Sequence, residues 1–119
     1  MLGVIMEKIL EITNPMLLLV VVIFIIAGAI MYKFPPKKIN SLYGYRTATS
    51  MKSQKKWDFA QKYSAKMMMF VGLGLIVLSF SRLLLPFNDD ETAILGIFVL
   101  LISMIILITT VEKALKKTP

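Results

Sequence analysis

Three long apolar runs dominate this chain, and a single charged residue, Arg82, lies within them. Residues 16–31 read MLLLVVVIFIIAGAIM, residues 67–85 read MMMFVGLGLIVLSFSRLLL, and residues 92–111 read TAILGIFVLLISMIILITTV. A helix needs about 20 predominantly apolar residues to cross a bilayer, and within hydrocarbon the backbone must satisfy its own hydrogen bonds. Each run has that length once its flanks are included. The expected architecture is therefore an all-α membrane protein with three transmembrane helices, at about 15–33, 66–85 and 92–111, in a single domain covering 1–119. Composition agrees, with 57% hydrophobic and 18% charged residues, whereas a soluble domain holds about 45–50% apolar and about 25% charged. A chain this short lacks the polar residues to cover an aqueous core.

The run boundaries carry their own signals. Asn14 before Pro15 provides a helix cap followed by a residue preorganised for the first turn. Tyr32 and Lys33 suit an interface, and Pro35-Pro36 stops the helix. Glu7, Lys8 and Glu11 precede the first run and no A-x-A site follows it, so it reads as a retained span and not a signal peptide. Pro86 ends the second run. Asp89, Asp90 and Glu91 precede the third and Lys113, Lys116 and Lys117 follow it, complementing both ends of the helix dipole. The first dozen residues admit two readings, a short helix in the membrane interface or a frayed apolar terminus.

Orientation follows from the cations. The connection 33–66 holds Lys33, Lys37, Lys38, Arg46, Lys52, Lys55, Lys56, Lys62 and Lys66 against one acid, Asp58. Basic loops stay cytoplasmic. Three crossings then place the N terminus and the acidic turn 86–91 outside and the Lys-rich tail inside, in a multi-pass protein of the cell membrane.

The absence of Cys and His excludes disulfides, thiolate metal sites and imidazole catalysis. One loop carboxylate is a poor acid–base set. The chain is accordingly read as no enzyme, with no cofactor and no metal; Met67, Met68 and Met69 point in different directions and suit packing. A net charge of +7 with aromatics at Tyr43, Tyr45, Trp57 and Tyr63 would fit nucleic acid. Topology already accounts for that charge, so nucleic acid is not the expected partner. Gly28, Gly72, Gly74 and Gly96 would allow close contacts in a homo-oligomer.

Lysines near anionic lipid explain part of the basic loop. They do not explain Asn40, Tyr43, Gly44, Tyr45, Arg46, Thr47, Ser50 and Trp57, which no charge rule requires. Gly44 between two tyrosines suggests a tight turn presenting Arg46, whose planar fork grips a phosphate or carboxylate; a salt bridge from Arg46 to Asp58 or Glu112 is the other use. From about Ser50 onward, Trp57, Ala60, Tyr63 or Ser64, and Met67 recur at helical spacing, in a helix lying on the membrane or leading into the second span. Arg82, about one turn from Pro86, can snorkel to Asp89 or Asp90, or serve function as an intramembrane charge.

Asn40, GYRT at 44–47, Ser50 and WDFA at 57–60 follow, in this order, a span ending in prolines. This combination resembles the signature of the SdpI/YfhL family of small bacterial membrane proteins. Family members often carry Asn where Gln61 stands, and larger members have additional spans before this module. The resemblance implies immunity against a secreted membrane-active peptide toxin, and a receptor role in which a transcriptional repressor is retained at the membrane. It makes Asn40, Tyr43, Gly44, Tyr45, Arg46, Thr47, Ser50, Trp57, Ala60 and Gln61 candidate binding residues. The expected partners are membrane lipid, a peptide toxin and a cytoplasmic repressor. The alternative function is binding or transport of an anionic lipid headgroup, with Arg46, Lys37 and Lys38 around a phosphate.

Overall fold

Helix starts follow the local chemistry in the computed structural model, which describes residues 1–119. The order is α1 (Leu2–Ile12), α2 (Pro15–Lys33), α3 (Gln54–Ser79), a 3-10 turn over Phe80–Leu83 and α4 (Asp89–Lys116). Asn14 is extended, and its Oδ1 accepts from the amides of Met16 (3.1 Å) and Leu17 (3.4 Å), while Pro15 has no amide to leave unpaired. Asn88 and Glu91 form a reciprocal capping box at the start of α4, with three acids in its first turn. Ser53 caps α3 through the amide of Lys56 at 3.1 Å.

Three helices are long and apolar enough to cross a membrane: Pro15–Lys33, Gln54–Leu83 and Asp89–Lys116. The protein is thus an all-helical, multi-pass membrane protein. The second of these is longer than the apolar run alone suggests, because the amphipathic segment that starts near Ser50 joins the span without a break. At 1.5 Å per residue its 30 residues extend about 45 Å, well beyond the roughly 30 Å of hydrocarbon. α1 is helical, and none of its residues is buried.

α2 and α3 pack along much of their length. In lipid, apolar surface gains little by leaving its surroundings, so close backbone approach matters more than area. Gly28 supplies it: a Cβ there would stand 2.9 Å from the Ala65 carbonyl oxygen and 2.9 Å from Met69 Cγ. Gly72 and Gly96 likewise face neighbours within the chain, and only Gly74 of the four span glycines faces open space. Leu17, Val20, Val21 and Phe24 meet Leu75 in one buried cluster; Ala60 meets Leu107, Val111 and Leu115 in another, nearer the basic loop.

At the acidic end one residue joins all three spans. Asn14 is fully buried, caps α2, donates Nδ2 to the Thr92 carbonyl of α4 (2.8 Å), and gives its backbone amide to the Ser79 carbonyl of α3 (2.7 Å). Arg82 lies beside this junction in the 3-10 turn. It pairs with Asp89 and donates to the Leu10 carbonyl of α1 (3.3 Å).

Candidate functional site

Residues 34–53 run between α2 and α3 with little regular structure, so their backbone groups need partners from side chains. Asn40 starts the fold as an Asx turn. Its Oδ1 accepts from the amides of Leu42 (2.9 Å) and Tyr43 (2.8 Å), and its Nδ2 donates to the Lys38 carbonyl (2.9 Å). The Tyr43 hydroxyl then donates to the Phe34 carbonyl at the end of α2 (3.0 Å). Gly44 follows at φ +107°, where side chains are strained, and a Cβ would collide with Gln61 Oε1 and stand 2.7 Å from Pro36 Cγ.

The first turns of α3 form the wall against which this segment folds. Trp57, Ala60, Gln61 and Ser64 are all buried on one face. Trp57 is fully enclosed, and its indole Nε1 donates to the Pro36 carbonyl (2.7 Å). Gln61 accepts from the Tyr45 amide (2.7 Å) and donates to the Tyr45 carbonyl (2.9 Å). Thr47 and Ser50 close a single turn reciprocally, each hydroxyl accepting from the other residue's amide at 3.1 and 2.9 Å. No buried side-chain polar atom lacks a partner.

Of the ten loop candidates, Ser50, Trp57, Ala60 and Gln61 are therefore inside the scaffold, where no partner can touch them directly. Arg46 is exposed. It donates to the Ser41 carbonyl, and it meets neither carboxylate considered for it. Asp58 accepts from Gln54 Nε2 (2.7 Å), and Glu112 accepts from the Tyr45 hydroxyl (2.8 Å). Burial pushes the Tyr45 phenol above its ordinary range, and the hydrogen bond to Glu112 and its charge add to this, against a smaller opposing effect of Thr47.

Two features of the site escape a reading by motif. Glu112 joins the loop to the end of α4, and the available signal was its isolation as an acid among lysines. The Pro36 carbonyl is the acceptor for Trp57, and nothing in the order of residues marks it. Beneath the segment 44–47 lies a cleft of about 380 Å³ between α2 and α4, backed by Ser64 and Met68 of α3. Its walls are mostly apolar, and Arg46 and Thr47 are among the residues that line it. The arrangement can present a cation beside an apolar groove.

A family model described as the SdpI/YfhL protein family matches residues 37–111. The chain is 43% identical over 94 residues to the uncharacterized protein YfhL of Bacillus subtilis (strain 168), covering 79% of this chain and 80% of that protein. No solved structure matches significantly.

Proposed function

The chain belongs to the SdpI/YfhL protein family, and on that premise we propose that it is an integral membrane immunity protein against a secreted, membrane-active peptide. The observation that carries the reading is the state of the loop motif: Trp57 and Gln61 are fully buried, and the segment they hold presents Arg46 to solvent. A scaffold hydrogen-bonded this completely has little to gain from a topology rule alone. It suits a preformed surface that docks a cytoplasmic partner, such as a repressor, while the lipid-facing sides of the spans meet the peptide. The protein acts by binding and performs no chemical step.

In this reading the basic loop and the Lys-rich tail are cytoplasmic and α1 with the acidic turn is external, because cations resist translocation. A cysteine-free chain makes the orientation directly measurable. A Lys55→Cys variant should react with an impermeant maleimide only after permeabilisation; labelling of intact cells would reverse the topology.

The functional test is expression in a bacterium sensitive to such a peptide. Survival should rise with the protein present and fall back in Arg46→Ala at equal membrane levels. Unchanged sensitivity at normal membrane levels of the intact chain would overturn the immunity role.

A further inference from the structure

We propose that the cleft between α2 and α4 binds one anionic phospholipid, an acyl chain lying between the helices and the phosphate held at Arg46. This site is independent of the resistance reading, since a bound lipid requires no toxin. Ile23 on α2 and Met104 and Ile108 on α4 form apolar walls, with Met68 of α3 behind them. From Ile23 to Met31 the groove follows α2 for about 12 Å of helix rise. Arg46 is the one charged residue of its lining, with Thr47 as its neighbour in the chain. A single charge at the head of an apolar slot is the complement of a head-and-tail amphiphile.

Charge selects the class of lipid. The arginine at the other end of the molecule is neutralised within the chain by Asp89, whereas Arg46 has no carboxylate within ion-pair distance. One Arg46 nitrogen is used on the Ser41 carbonyl, which leaves the rest of the planar fork for phosphate oxygens. The surrounding lysines raise the local concentration of anionic lipid. A second copy of the chain is a poor occupant by comparison. Residues 15–33 and 92–111 contain no acid, so packing another protomer's spans into the groove would bring Arg46 no counter-charge.

The test is native mass spectrometry of the intact chain in detergent, titrated separately with phosphatidylglycerol and phosphatidylcholine. One phosphatidylglycerol should be retained at a half-saturation concentration at least tenfold below that of phosphatidylcholine. Arg46→Gln should abolish this preference, and Ile108→Trp, which fills the groove with the arginine intact, should weaken retention of both lipids. Lys55→Gln removes an exposed cation elsewhere and should change nothing. Equal losses in Arg46→Gln and Lys55→Gln would show diffuse attraction and overturn the site. Full retention in Ile108→Trp, or displacement of the lipid by glycerol phosphate at the same concentration as by phospholipid, would overturn the acyl-chain seat.

Discussion

Gln61 pairs through its side-chain amide with both backbone groups of Tyr45, accepting at 2.7 Å and donating at 2.9 Å across a separation of 16 residues. The side chain thereby does for one loop residue what a neighbouring strand does in a sheet. Gln61→Leu keeps much of the volume, orphans the Tyr45 amide and leaves the Tyr45 carbonyl only the Ser50 hydroxyl at 3.2 Å. Each such loss costs about 1–3 kcal/mol, so limited proteolysis within 40–53 should accelerate severalfold while the spans remain protected.

Gly44→Ala should destabilise the same segment for a different reason. An L side chain at positive φ costs about 1–2 kcal/mol before any clash, and here the new methyl also meets Gln61 and Pro36. Thermal unfolding in detergent should show a lower midpoint for Gly44→Ala, and Gly74→Ala, where the space is open, should remain near wild type.

Trp57→Phe and Trp57→Ala separate hydrogen bonding from packing. Phenylalanine retains an aromatic ring but leaves the Pro36 carbonyl without its 2.7 Å donor, a loss of about 0.5–1.5 kcal/mol. Alanine removes a fully buried ring and should cost about 3–5 kcal/mol. Denaturant midpoints of the two variants in one detergent check the order.

The Tyr45–Glu112 bond predicts a pH effect with a definite sign. The folded chain holds the Tyr45 proton more tightly than the unfolded chain does, because burial and the adjacent carboxylate disfavour phenolate. The stability from this residue is therefore fully present below about pH 10, the ordinary tyrosine value, and is lost as pH rises through the folded-state value. Ultraviolet titration should find a phenol that resists ionisation above pH 10, and Glu112→Gln should bring it down towards the ordinary range.

Asn14→Leu tests the three-span junction at the opposite end. The substitution removes the cap on α2 and the donor to Thr92, together worth about 1–3 kcal/mol. Unfolding in mixed micelles should begin at a lower denaturant fraction, and Asn14→Ser, which keeps a capping oxygen but not the donor to Thr92, should fall between.

The spans were legible because hydrocarbon excludes charge, a constraint that acts on every residue of a run. Asn14 and Pro15 also announced the start of α2, since capping is local. The links from Asn14 to Ser79 and Thr92 were not legible; they depend on which helix ends the fold brings together. The same holds in the loop. Asn40 and Gly44 carry turn chemistry in their own neighbourhood, whereas the pairings of Trp57 with Pro36 and Tyr45 with Glu112 cross between elements. Charge alone suggested Asp58 or Glu112 for Arg46, and it failed because the fold of the loop turns the guanidinium to the Ser41 carbonyl instead.

The unbroken α-helix from Gln54 to Ser79 makes the molecule a lever. Over the roughly 39 Å of its 26 residues, a tilt of about 5° at one tip sweeps the other through about 3.4 Å. A ligand that displaced the Asn14 junction, which holds Ser79 at one tip, would therefore shift Trp57 near the other.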